Sequence, residues 1–163
     1  MWVRVDAEGE QNIIVKTDTE QGPRFIFSQQ LKVNDRGTFS HYLYTTEDGS
    51  LNIEGREVEV EGATQVEVGQ WYFVVLSATE SGRARLYVDG EEDASSQPVN
   101  GLFQYSLDEW RLGGSAEGQA TGKALPPFTG ALDDVVIFDR ELTGQEVQEL
   151  SGLAEEKRAA PPG

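Results

Sequence analysis

Phe128-Thr129-Gly130-Ala131-Leu132-Asp133-Asp134-Val135-Val136-Ile137-Phe138, followed by Arg140-Glu141-Leu142-Thr143, is the stretch whose reading decides the fold. Gly130 releases the chain from a turn, and the β-branched and apolar residues after it suit a pleated, buried strand. That strand is expected to run from Phe128 to Phe138, with Val135 and Ile137 pointing into one layer and Val136 and Phe138 into the other. Working outward, Trp71-Tyr72-Phe73-Val74-Val75-Leu76-Ser77-Ala78 is nearly continuously apolar, the pattern of a strand covered on both faces. Trp71 is expected to supply a large part of the core. Leu86-Tyr87-Val88 runs into Asp89-Gly90, a pair that accepts the two positive φ angles of a type I′ hairpin turn.

Further strands read as Trp2–Val5, Asn12–Lys16, a segment from Arg24 towards Val33, Leu51–Ile53, Glu57–Glu61 and Glu109–Leu112. From Thr38 to Thr45 the pattern alternates, placing Phe39, His41 and Leu43 on one face and Tyr42 and Tyr44 on the other. Turns are marked by Asn34-Asp35-Arg36-Gly37, Glu47-Asp48-Gly49 and Glu80-Ser81-Gly82. One short C-terminal helix is expected: Thr143 and Glu146 have capping-box spacing, Val147 and Leu150 make a small apolar stripe, and Gly152 can end it. Ten or more short strands with one terminal helix predict an all-β fold, a two-sheet antiparallel jelly-roll sandwich. The domain is assigned to residues 1–152, and residues 153–163, charged and then rich in Ala and Pro, read as a flexible linker or tail.

The chain has 163 residues, enough for one domain with its own core, and no cysteine, which excludes disulfides and thiolate metal sites. With 29 acidic against 13 basic residues the net charge is −16, a field that repels phosphate backbones and excludes nucleic acid as the expected partner. No stretch approaches the roughly 20 apolar residues that span a bilayer, and no leader precedes the first strand-like pattern.

Four pieces, in order, resemble the laminin G-like family of the concanavalin A-like superfamily. Val68-Gly69-Gln70-Trp71 is similar to the "G-x-W" opening of its central strand, and Leu86-Tyr87-Val88-Asp89-Gly90 to its "L-Y-V-D-G" hairpin. Trp110-Arg111-Leu112-Gly113-Gly114 resembles its "I-G-G" strand end, and the stretch from Phe128 to Thr143 its "F-x-G-x-I-D-D-V-x-I-Y-x-R-x-L-S" signature. Trp2-Val3-Arg4 and Ile13-Ile14-Val15-Lys16 resemble "W-V-R … I-V-x-K", although the family has one or two strands before that tryptophan. The resemblance therefore implies a domain lacking its first strand, with an unpaired edge.

The resemblance also implies a non-catalytic module of a longer bacterial extracellular or cell-envelope protein, binding a glycan or an extracellular protein. The alternatives are a structural or adhesion spacer and, more distantly, a laminarinase-type glycoside hydrolase. By resemblance, Asp133, with Asp134 as substitute, is the ligand of a structural Ca²⁺, an ion that takes six to eight oxygens. Glu57-Val58-Glu59-Val60-Glu61 resembles the hydrolases' "E-I-D-I-E" strand, with Glu59 where that family has Asp; alternation puts Glu57, Glu59 and Glu61 on one face. The same alternation describes a solvated strand face without chemistry. Tyr42, Tyr44, Tyr105 and Trp110 are amphipathic rings that could stack on sugars or could equally flank the core. The loop Ser115–Pro127 and the acidic loop Glu91-Glu92-Asp93 are the expected seats of further contacts. His41 has no second histidine or cysteine to complete a site and reads as structural, and Ser81 and Ser115 lack an activating motif.

Overall fold

The computed structural model describes residues 1–18, 26–46, 56–79, 83–98, 102–103, 110–113 and 127–159. Eleven strands and one helix are found among them: β1 (Trp2–Val5), β2 (Gln11–Asp18), β3 (Ile26–Val33), β4 (Thr38–Thr46), β5 (Arg56–Gln65), β6 (Trp71–Ser77), β7 (Arg85–Val88), β8 (Glu91–Ser95), β9 (Leu102–Phe103), β10 (Trp110–Leu112), β11 (Gly130–Asp133) and α1 (Gly144–Ala159). The strands pair antiparallel in two sheets, one in the order β11-β1-β6-β7-β8 and one in the order β10-β2-β3-β4-β5, with β9 beside β4. This is the jelly-roll sandwich that the alternation of the sequence predicts.

Period-two patterning decides which residues fill the space between the sheets. Val3, Val5, Tyr72, Val74, Leu86 and Val88 of the five-stranded sheet meet Ile13, Leu31, Phe39, Leu43 and Val60 of the other, all buried. The Phe39 and Tyr72 rings meet edge to face, centroids 5.5 Å apart. A second cluster of Tyr87, Leu142 and Val147, with Val75 against it, seats α1 on the outer surface of the five-stranded sheet. The β6 run is therefore apolar on both faces because both are covered.

The local signals hold. Asp89 and Gly90 have φ of 50° and 88° and turn β7 into β8. Asn34 Oδ1 accepts from the amides of Arg36 and Thr38, and Gly37 has a φ of 75°. Thr143 Oγ1 accepts from the Glu146 amide while the Glu146 carboxylate accepts from the Thr143 amide, the reciprocal cap that starts α1.

Four expectations are corrected. The last strand ends at Asp133 rather than Phe138: Asp134 takes a φ of 48°, which breaks the strand, and Val136, Ile137 and Phe138 are exposed instead of alternating into two layers. Trp71 is only partly buried, at the end of β6, with the Arg4 guanidinium 5.2 Å from its ring centroid; Tyr72 and Val74 take the core positions. Gly152 does not stop the helix, because it lacks a positive φ and the residues after it, Leu153-Ala154-Glu155-Glu156-Lys157-Arg158-Ala159, are strong helix formers. The stretch read as a tail from residue 153 thus begins as the last turns of α1. Glu91-Glu92-Asp93 is not a loop but the start of β8. The expected strand Leu51–Ile53 and the turns at 47–49 and 80–82 lie outside the described residues. Among the described residues no helix is long and apolar enough to cross a membrane.

Candidate functional site

Because Phe39 and Leu43 point into the core, the intervening Ser40, Tyr42 and Tyr44 lie on the outer face of the six-stranded sheet. The register sets Ser40 opposite Glu61, Tyr42 opposite Glu59 and Tyr44 opposite Glu57. The three glutamates therefore share that face, as alternation predicts. On the other side of β4, Gln30 lies opposite Tyr42 and Lys32 opposite Ser40. Continuing through Val15 of β2, the same row reaches Arg111 of β10.

A polar lattice surrounds Tyr42. Glu59 accepts from Ser40 Oγ at 2.8 Å and pairs with Lys32 Nζ at 3.2 Å, and the same ammonium reaches Glu10 at 3.4 Å. Glu61 pairs with Arg36 at 2.6 Å. The Tyr42 hydroxyl bonds to the Glu57 carboxylate; partial burial, followed by the charge of Glu57 and that hydrogen bond, pushes the phenol far above its usual range. Tyr42 therefore stays protonated and donates. Its ring is half-buried, whereas Tyr44 is 7% exposed and offers no surface for stacking.

Trp110 does not join this face. It aligns with Lys16, which places it on the side opposite Arg111, and the Lys16 ammonium lies 5.5 Å from its ring centroid. Of the four rings singled out in the sequence, the three among the described residues thus separate into one half-exposed, one buried and one on the other side of its sheet edge. Lys32, in the neighbouring Ser40 row, and Arg111, at the end of the Tyr42 row, carry no signal in the sequence, because only the strand register brings them there. Tyr105, Ser81, Ser115 and the loop residues up to 126 lie outside the described residues.

Asp133 and Asp134 are exposed at the end of β11. Asp133 Oδ1 accepts from the Asp134 amide at 2.9 Å, and Asp134 lies near the Met1 ammonium. Among the described residues no group of three or more His, Cys, Asp or Glu is placed to hold a metal ion. An ion that takes six to eight oxygens would draw only part of its shell from these two carboxylates.

A second polar feature, without warning in the sequence, is a cleft of about 480 Å³ between β7, β8 and α1, lined by Arg85, Tyr87, Glu92, Glu141 and Gln148. Arg85 bonds to Glu141 and lies 3.6 Å from Glu92, tying the approach to α1 onto the sheet. Its cation is already matched by these carboxylates.

The same fold recurs in the CBM40 of Ruminococcus gnavus IT-sialidase, at a TM-score of 0.66 and 18% identity over 93% of this chain and 80% of that one. That module is also known bound to α2,3-sialyllactose. The heptameric SAP-like pentraxin of Limulus polyphemus is similar at a TM-score of 0.63 and 19% identity, over 92% of this chain and 66% of its own. A Trypanosoma rangeli sialidase mutant with trans-sialidase activity aligns at a TM-score of 0.58 and 17% identity, covering 98% of this chain but 23% of that one. No curated protein matches the sequence. Residues 1–148 match the laminin G family model Laminin_G_3, and with them the chain belongs to the concanavalin A-like lectin/glucanases superfamily.

Proposed function

We propose that the chain is a non-catalytic module of an extracellular or envelope protein that binds a neutral glycan on the outer face of the six-stranded sheet. The observation that carries this reading is Tyr42: a half-exposed ring on a rigid central strand, its hydroxyl held by Glu57, with Glu59 and Lys32 beside it. A ring face packs against sugar C–H groups, while carboxylates and an ammonium accept from and donate to hydroxyls around it. The carbohydrate-binding neighbours support the class of ligand. A charge of −16 and the carboxylates of Glu10, Glu57, Glu59 and Glu61 on or beside this face argue against an acidic sugar.

Catalysis is disfavoured by the arrangement of these glutamates. Retaining hydrolysis needs two carboxyls flanking the scissile bond, one of them protonated as an acid. Here Glu59 stands where the hydrolases' strand has Asp, and Glu59 and Glu61 are engaged by the cations of Lys32 and Arg36. A glycan array with neutral and sialylated glycans tests the proposal, followed by titration of Tyr42→Ala with its melting temperature recorded. Binding of neutral glycans that weakens roughly 10-fold or more in a folded Tyr42→Ala is expected, about 1.4 kcal/mol. Binding untouched by Tyr42→Ala would remove this face, and no glycan binding would leave a spacer role. Release of reducing sugar from a β-glucan, abolished in Glu57→Gln, would replace binding by hydrolysis.

A further inference from the structure

His41 is the chain's single histidine, and it lies in the middle of β4, inside the six-stranded sheet. Its side chain shares the core face with Phe39 and Leu43, and its register partners on either side are Leu31 of β3 and Val60 of β5. Across the interlayer space the core residues of β7 are Leu86 and Val88. The residue is 2% exposed, and neither ring nitrogen has a hydrogen-bond partner. A neutral imidazole in this position leaves one donor and one acceptor unmet; an imidazolium would leave two donors and a full charge unmet, which is far costlier.

No carboxylate is placed within hydrogen-bonding reach of the ring to stabilise an imidazolium. Glu57, Glu59, Glu61 and Lys32 project from the opposite face of the same sheet. The titratable groups on the core side are Tyr72 of β6, Lys16 at the β10 edge and Asp93 at the β5–β8 edge. The Tyr72 hydroxyl is occupied by the Gln65 carbonyl and the Glu67 amide, the Lys16 ammonium faces the Trp110 ring, and the Asp93 carboxylate is taken by the Ala63 and Thr64 amides. Burial alone pushes the imidazole down to about 4.

We propose that His41 is an acid-responsive latch: taking up a proton expels it from the core and loosens β4 together with β3 and β5, dismantling the face that carries Tyr42. The sign follows from linkage. The unfolded chain binds the proton with its ordinary value of 6.5 while the folded chain holds out to about 4. Stability is thus complete above 6.5 and is lost as pH falls from there towards 4, by up to roughly 300-fold in the folding equilibrium constant. The proposal concerns the sheet itself and stands whether or not the outer face binds a glycan.

With one histidine, its imidazole resonance in the full chain can be followed by NMR without ambiguity. Disappearance of the native resonance below about pH 5, in a single step with unfolding, is expected. Titration of the native resonance with the fold intact, whatever its midpoint, would overturn the proposal. Urea titrations of the wild type and His41→Leu at pH 7 and pH 4.5 give the second readout. The wild type is expected to lose about 60-fold more in its folding constant than the variant across that interval, and equal losses would overturn the latch. Should His41→Leu not fold, hydrogen exchange of the wild type decides. Earlier loss of protection in β3, β4 and β5 than in β1 and β6 on acidification supports the latch, and uniform loss overturns it.

Discussion

The carboxylate of Asp93 reaches from β8 across the open side of the sandwich to β5. It accepts from the Ala63 amide at 2.9 Å, from the Thr64 amide at 3.1 Å and from Thr64 Oγ1 at 2.7 Å. One side chain thereby joins the edge strands of the two sheets. Gly62 makes room for it, since a Cβ there would fall 2.3 Å from the Asp93 carboxylate and 2.9 Å from the Phe39 carbonyl. Charge-assisted bonds of this kind are stronger than neutral ones, and removing their acceptor strands the donors. Asp93→Ala is expected to cost about 2–3 kcal/mol in urea unfolding, with Asp93→Asn recovering part. A loss below about 0.5 kcal/mol would mean that water serves these amides equally well. This residue stood in the sequence as one of three acids awaiting a ligand; its true partner is backbone 29 to 30 positions away, which no local pattern announces.

At the scale of elements, what could be read in advance was what is decided within a few residues. Asp89-Gly90 and Thr143-Glu146 specify their turn and cap alone, because the required φ angles and hydrogen bonds are local. The end of β11 was illegible for the opposite reason: a strand lasts as long as it has neighbours. β1 begins at Trp2, opposite Phe73 and Asp133, so Val75, Leu76 and Ser77 of β6 lie past its start, and Val136, Ile137 and Phe138 follow Asp133 exposed. Adding Val-Thr-Leu-Ser ahead of Met1 should continue the ladder along β6 and cover apolar surface, raising Tm by about 3–6 °C over a Gly-Ser-Gly-Ser extension of the same length. The added peptide bond also abolishes a largely buried amine, which burial pushes down to about 6 from 8.0. With a free amine, stability falls as pH drops from 8 to 6, and the extended chain should lose that slope. Equal Tm for the two extensions would show that β1 needs no continuation.

For the molecule as a whole, the site was half legible. Alternation correctly put Tyr42 and Tyr44 on one face and the three glutamates on another strand's single face, but their meeting depends on register, and the exclusion of Trp110 on parity carried through β2. The charge, in contrast, was fully legible and has a consequence for the entire fold. Thirteen cations can match at most thirteen of 29 carboxylates, so an excess of 16 repels itself in any arrangement of side chains. Salt acts on two opposed terms: it weakens the exposed pairs Arg36–Glu61 and Arg140–Glu146, and it screens the mutual repulsion of the excess. Exposed pairs contribute about 0–1 kcal/mol each, whereas the uncompensated carboxylates act together over the whole surface, so the second term should win. Raising NaCl from about 20 mM to about 300 mM, where the Debye length shrinks from roughly 20 Å to 6 Å, is expected to raise Tm by several degrees. CaCl₂ at matched ionic strength separates screening from binding. Since Asp133 and Asp134 do not assemble a cation cage with the other described residues, the two salts should give equal shifts. A Tm that falls with NaCl would show that ion pairs outweigh the net charge, and a further rise in CaCl₂ alone would show that a calcium ion is held after all.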